Sequence, residues 1–502
     1  MATFLDSALA AGARLHPHAP ALRADERTLT YAELDRLVDA AAAALRGAGV
    51  GTGDRVGVLL PKSPAAVVAV YAVLRCRAFV APLEPHDPAE RLARTVRAGG
   101  LRYLVCADPT AVPARLGREH ERDLGPTGLH LLTLADPPAV ESVPAAERAG
   151  GGYILFTSGS TGNPKGVLLT QHNVLHFARW AAQVLRLAPS DRVASQASLT
   201  FDLSTLDLFS TAIAGACVDL VPPYLTLFPG DLVDWLAARE VSVLYAVPSL
   251  YSGMLEQGGI DRRWPPALRR MVFAGEPFPL PLLDRYLRAA RGCELYNFYG
   301  PTETNVCTWE RVAPGWNPAD GLSIGRPVAG AAVALVDDDA EPAGTAGEIV
   351  VAGPTVFVGY LEQGMLRDAT RPLRFPDGTV RRGYPTGDLG HFAADGRLHL
   401  DGRKDNQVKR NGHRIDLMDV QKALEELAGA RTVAVVQKSA EPHAGQIWAY
   451  VQGEQAAVAQ VAAGLSRLLP RRMLPDQVVP VVDFPLTSRG KIDRVGLAAR
   501  PD

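Results

Sequence analysis

Apolar residues recur along the chain in two rhythms. Through YAELDRLVDAAAAALRG (31–47) they fall three and four residues apart, which predicts an amphipathic helix closed by Gly47 and Gly49 and entered from a strand end at LTY. RVGVLLP (55–61) is a short apolar run bounded by Asp54 and Pro61 and predicts a buried strand. AAVVAVYAVLRC (65–76) predicts a buried helix. From 108 to 150 the rhythm dissolves into Pro, Arg and Gly, so surface loops and an irregular helix are expected there.

The middle of the chain alternates more regularly. YILFT (153–157), SVLYAVP (242–248), RRMVFAGEP (269–277) and CELYNFYGP (293–301) read as strands. SLYSGMLEQ (249–257) and PLPLLDRYLRAA (279–290) read as helices between them. Continuous apolar strands alternating with helices predict an α/β fold built on parallel-type sheets flanked by helices. Ligands in such sheets sit at the carboxyl ends of strands. The clusters TSGSTG, AGEP and NFYGPTE all fall at such ends. Short alternating strands from about 333 to 400 predict a small β-rich unit. A boundary at 401–405 then divides an N-terminal core, 1–403, from a small α+β domain, 404–502. That last part should hold a helix at 416–428, strands at TVAVVQ and IWAYVQG, and a helix near 455–469.

Composition narrows the function classes. The 502 residues suggest about three domain-sized units. At 47% hydrophobic and 21% charged, the chain is neither disordered nor a small stapled scaffold. A net charge of −2 argues against nucleic acid or an anionic membrane as partner, so an anionic ligand must be met by a local site. Five scattered cysteines without a C-x-x-C fit a reducing compartment. The N-terminus lacks a basic stretch, and no apolar run approaches ~18 residues, so a cytoplasmic location is expected. Seven lysines and 45 arginines make up the 52 basic residues. Four of the lysines (165, 404, 409 and 491) fall inside the motifs described next.

Thr157-Ser158-Gly159-Ser160-Thr161-Gly162-Asn163-Pro164-Lys165-Gly166 directly follows a strand. Its glycines allow close backbone approach, its hydroxyls and N–H groups can cradle phosphate, and Lys165 adds charge. It is not a Walker A loop; alone, such a run is more often a flexible surface loop. Here it has company: LTYAEL (29–34), VLRCRAFVAPLEP (73–85), FDLS (201–204), NFYGPTE (297–303), GEIVVAGPTVFVGYL (347–361), YPTGDL (384–389), GRKDNQVKRNGHRIDL (402–417), LPRRMLP (469–475) and RGKIDR (489–494). In this order the motifs resemble those of the adenylate-forming superfamily, which includes acyl-CoA synthetases, luciferases and the adenylation domains of nonribosomal peptide synthesis.

That resemblance implies ATP and Mg²⁺ as cofactors and a reaction joining a carboxylate to the α-phosphate. It implies that Thr157, Ser158, Gly159, Ser160, Thr161, Gly162, Lys165 and Thr302 hold phosphates, and that Glu303 is the Mg²⁺ ligand. Gly275, Glu276, Asn297 and Gly300 complete the nucleotide site. Tyr299 would stack on adenine, and Asp388, with Arg403 nearby, would take the ribose hydroxyls. Lys491 would bridge the carboxylate and the α-phosphate as a flexible point charge. Asp405 matches the position of a hinge that swings the C-terminal domain between two arrangements. QVKRNG departs from the commoner QVKIRG of the family.

Asp202, in FDLS, matches the carboxylate that binds the α-amino group in amino-acid-activating members; the plain alternative is a helix cap. By the same motif matching, Leu203, Leu206, Tyr245, Val272, Ala274, Phe298, Val306 and Cys307 line the pocket and Lys491 closes it. No charged or amide group awaits the substrate's side chain, so a compact apolar amino acid is expected. This set resembles that of free-standing L-proline-activating enzymes, which load a peptidyl carrier protein for oxidation to a pyrrole-2-carboxyl group. The implied partners are therefore L-proline and a separate carrier protein with a phosphopantetheine arm, because only a few residues follow Lys491. D-alanine–carrier ligation and an inactive adenylate-binding scaffold are the alternatives. The intact Lys165, Glu303, Asp388 and Lys491 speak against the scaffold.

Overall fold

The computed structural model describes residues 4–500 except 136–143, 145–148, 158–163, 291, 430, 441 and 487–491. Several of its helices start where the sequence offers a cap. Thr30 and Glu33 form a reciprocal capping box at the head of Tyr31–Gly47, and Thr170 with Asn173 does the same for Gln171–Val184. Ser63 caps Pro64–Arg75, which places proline in the first turn, where its missing N–H is harmless. That helix is apolar on nearly every face and is buried accordingly.

Two large sheets carry the N-terminal part. In one, Arg192–Ser195, Val243–Ala246, Arg270–Phe273 and Glu294–Tyr299 run parallel as neighbours. Their carboxyl ends therefore lie along one edge, and Tyr245, Ala274, Gly275 and Gly300–Thr302 follow there. In the other sheet, Arg55–Leu59, Phe79–Leu83 and Gly152–Thr157 are parallel, and Lys165–Thr170 returns antiparallel to Gly152–Thr157. The α/β architecture expected from the sequence is present, with antiparallel strands completing sheets of mixed direction.

Three expectations need correction. Residues 108–135 are not only loops: Arg118–Asp123 and His130–Leu134 pair as an antiparallel edge of the second sheet. REHERD is polar and exposed at all six positions, as an edge strand can be, so no apolar pattern marked it. The strands of 333–400 do not form a separate unit. Ala332–Val336, Ala346–Ala352 and Val380–Phe392 extend the first sheet through Leu398–Arg403 and Ser323–Pro327, whereas Gly359–Glu362 and Met365–Arg367 extend the second. The helix near 455–469 ends at Gly464 and continues as a 3₁₀ turn at Leu465–Arg467.

After Arg403 come an antiparallel hairpin (Gln407–Arg410 with His413–Asp416), the Asp416-capped helix Leu417–Ala428 and a three-stranded sheet. The sequence reading missed that sheet's third strand, Gln477–Val481, and the helix Arg494–Ala499. This part has its own apolar core around Val420, Leu424, Val435, Ala449 and Val461. No helix among the described residues is long and apolar enough to cross a membrane.

Candidate active site

A cavity of about 120 Å³ opens where the parallel strands end and the hairpin after Arg403 arrives. Eleven sequence-predicted residues line it: Thr157, Asp202, Leu203, Tyr245, Ala274, Gly275, Gly300, Thr302, Val306, Asp388 and Arg403. They come from segments as distant as 157 and 403, brought together by strand register. Gly300 is required by close approach, since a Cβ there would lie 1.6 Å from the Asn305 carbonyl oxygen.

The remaining pocket residues form a second layer. Leu206, Val272 and Phe298 are buried in the same apolar cluster as Leu203, Tyr245, Ala274 and Val306, but do not reach the cavity wall. Cys307 packs elsewhere, with Tyr299, Ile324 and Val333, and is corrected from pocket wall to core. Asp202 stands at the mouth of this apolar pocket. Burial pushes its carboxyl up, and the Thr302 hydroxyl and Lys409 ammonium oppose the shift without cancelling it.

Tyr299 is 5% exposed, and its hydroxyl donates to Asp388 Oδ2 at 2.6 Å. Arg403 binds the other Asp388 oxygen and both oxygens of Asp405, at 2.7 and 2.8 Å. Asn297 is turned to structure, donating to the Ser323 carbonyl at 2.8 Å. Lys165 pairs with Glu362 at 3.1 Å. Ser158, Gly159, Ser160, Thr161, Gly162 and Lys491 lie outside the described residues.

The hairpin supplies groups that the motif reading did not assign. Arg414 donates from Nη1 to both Glu303 oxygens at 3.0 and 2.9 Å, and the Tyr360 hydroxyl donates to Oε1 at 2.6 Å. Glu303 is 1% exposed. Burial raises its carboxyl, but Arg414 and the tyrosine hydroxyls outweigh burial and hold it below the usual carboxylate range. Lys409 lines the cavity, and burial lowers its ammonium pKa against the opposing pull of Asp388 and Asp202. Gly412 N–H donates to Glu276 Oε1 at 2.6 Å, and Ser249 N–H donates to Oε2 at 3.0 Å. Gly412 admits no side chain: at φ +78 a Cβ would lie 2.5 Å from Val247 Cγ1 and 2.9 Å from Phe201. His413 stacks on Phe201, and burial pushes its imidazole down to about 4. Arg472 grips Asp87 at 2.9 and 3.1 Å. The signal that could have found Arg414 was its charge within NGHRIDL, beside a predicted acidic site.

A half-buried carboxylate beside an apolar pocket, adjoining a second, buried carboxylate held by tyrosine and arginine, can receive an amino acid next to a polar ligand. The family model described as AMP-binding enzyme matches residues 9–361, and the chain belongs to that family. It is 35% identical to an L-proline–[L-prolyl-carrier protein] ligase of Streptomyces coelicolor, with 94% of this chain and 92% of that protein covered. A protein of the same description from Pseudomonas fluorescens is 32% identical, with 96% of each covered. The fold is similar to holo-PA1221, an NRPS protein containing adenylation and PCP domains. The TM-score is 0.79 at 26% identity, over 98% of this chain and 84% of that one.

Proposed function

We propose that the protein activates L-proline with ATP and transfers the prolyl group to the phosphopantetheine thiol of a separate carrier protein. A proline carboxylate oxygen attacks the α-phosphorus, the bond to the β-phosphate breaks, and pyrophosphate leaves. The carrier thiol, giving up its proton, then attacks the carbonyl carbon of prolyl-AMP and AMP departs. The observation that carries this reading is the half-buried Asp202 carboxylate beside a pocket lined by Leu203, Tyr245, Ala274 and Val306. A substrate ammonium adds its charge to that of nearby Lys409 in balancing this carboxylate, and a compact apolar side chain leaves no buried polar group unpaired. The similarity to two L-proline–carrier ligases over most of the chain supports the same choice.

The roles of the site follow from this reading. Asp388 and Arg403 hold the ribose, Thr302 and the 157–166 loop hold phosphate, and Lys491 bridges carboxylate and phosphate during activation. We infer a division into 1–403 and 404–502 with Asp405 as hinge. Glu303 is the residue for Mg²⁺, a hard cation that takes one or two carboxylates and completes its shell with water and phosphate oxygens. When bound it neutralises phosphate charge. In the arrangement described, the Glu303 carboxylate is taken by Arg414 and Tyr360, so the ion fits only with the hairpin withdrawn. We therefore assign the hairpin-inserted arrangement to the transfer step, where phosphate charge has already left as pyrophosphate.

Incubating the protein with L-proline, ATP and a phosphopantetheinylated carrier, followed by intact-mass analysis, tests this reading. A carrier heavier by one prolyl residue, with loss of that mass when ATP is omitted, is the expected result. A carrier loaded from another amino acid and never from L-proline would overturn it.

A further inference from the structure

Behind the pocket lies a stack of aromatic rings whose outer members, Trp180, Trp309 and Phe177, no pocket motif includes. Tyr245 lines the same cavity as Asp202 and belongs, unlike the lining residue Phe156, to the apolar cluster around Leu203, Ala274 and Val306. Its ring meets Phe298 edge-on at 5.9 Å, and Phe298 in turn meets Trp180 at 5.0 Å. Trp180 comes from the helix Gln171–Val184, which belongs to neither strand, and is 6% exposed. It is backed by Trp309 at 5.9 Å and Phe177 at 6.1 Å. Trp309 sits opposite Phe298 in the strand pair, so strand register fixes this last layer.

We propose that Trp180 is a positioning residue that sets the depth of the amino-acid pocket, acting through Phe298 on Tyr245. The proposal rests on reading the Asp202 pocket as the amino-acid site and deepens it. Protein interiors are close-packed, so a ring cannot retreat unless the space behind it is empty. With Trp180 in place, Phe298 has nowhere to go and Tyr245 holds the floor near Asp202. Proline fits this short pocket, and leucine or phenylalanine does not. With Trp180 shortened, Phe298 and then Tyr245 can settle outward, and the pocket lengthens although no residue touching the substrate has changed. The side chains of the stack are aromatic throughout, so the added depth is apolar and selects for apolar length.

ATP–pyrophosphate exchange with L-proline, L-leucine and L-phenylalanine tests this in wild type, W180F, W180L and W264L. W180L should lower the kcat/KM ratio of proline to the larger amino acids by about 10-fold or more, the scale on which pocket length discriminates. The change should fall mainly on KM, with W180F intermediate. Trp264 packs on Tyr286 in a separate cluster, so W264L should lower the melting temperature and leave the ratio unchanged. A cooperatively folded W180L whose ratio stays within about twofold of wild type overturns the proposal, because discrimination by length would then not pass through Trp180. An equal shift in W264L also overturns it. Where W180L fails to fold, the W180F ratio decides. If the wild type prefers another amino acid to proline, the proline reading fails, while the ratio against that preferred substrate still tests Trp180.

Discussion

Arg414→Gln removes the guanidinium that meets both oxygens of Glu303 and leaves a carboxylate that is 1% exposed with the Tyr360 hydroxyl as its remaining strong donor. Breaking a buried ion pair by removing one partner costs about 3–5 kcal/mol, which is about 10²–10⁴-fold in a rate or population. Protonation of Glu303 limits the cost to the lower part of that range near neutral pH. The penalty falls only on the arrangement in which the hairpin is inserted, because Arg414 belongs to the strand His413–Asp416. Activation by a withdrawn hairpin does not feel it. ATP–pyrophosphate exchange should therefore stay close to wild type, while single-turnover transfer from preformed prolyl-AMP to the carrier slows by about 10²-fold or more. Adding Glu303→Gln removes the orphaned charge and should restore part of the transfer rate from preformed prolyl-AMP, a coupling that a double-mutant cycle reads directly. Equal losses in exchange and transfer, or no loss in transfer, would refute the assignment of the inserted hairpin to the second step.

Asp202→Asn keeps the shape of the pocket head but removes the charge opposite the substrate ammonium. The kcat/KM for L-proline in exchange should fall about 10²-fold or more, mainly through KM, as measured by steady-state kinetics. Lys491→Ala should abolish exchange by orders of magnitude yet leave transfer from preformed prolyl-AMP, followed by carrier mass; surviving exchange would remove Lys491 from its assigned role. Asp207 is buried, and burial pushes its carboxyl from 3.8 to about 7 against the pull of the Ser195 hydroxyl and Lys62. A raised folded-state pKa means the folded protein keeps the proton longer, so this group's contribution is present below about pH 4 and lost as pH rises through about 7. The melting temperature of Asp207→Asn relative to wild type should thus become more favourable between pH 5 and pH 7. A constant difference across that range would contradict the shift.

Elements with unbroken rhythm or a clear cap were legible from the chain. The helices Tyr31–Gly47 and Pro64–Arg75, and the parallel strands ending at Ala246, Phe273 and Tyr299, lie where spacing and apolar runs put them. REHERD was illegible because an edge strand with both faces in solvent needs no apolar alternation. The 333–400 strands were recognised singly, but their split between two sheets depends on pairings across long stretches of chain, which local pattern does not carry. In the site, motif matching placed Asp202, Leu203, Tyr245, Ala274 and Val306 on one cavity wall. It did not separate wall from backing, so Leu206, Val272 and Phe298 were expected to reach the cavity, and Cys307 was expected to face it. Arg414, Lys409 and Arg472 enter the site only because the hairpin and the 469–475 segment fold back onto distant strands, a relation no spacing rule contains.

The central claim is that this chain adenylates L-proline. An ATP–pyrophosphate exchange panel over the amino acids, D-alanine included, tests it most directly. Strong exchange with L-proline, weak exchange with other compact apolar amino acids, and none with charged or amide side chains is the expected result. Strong exchange with D-alanine or another amino acid, together with none for L-proline, would contradict it.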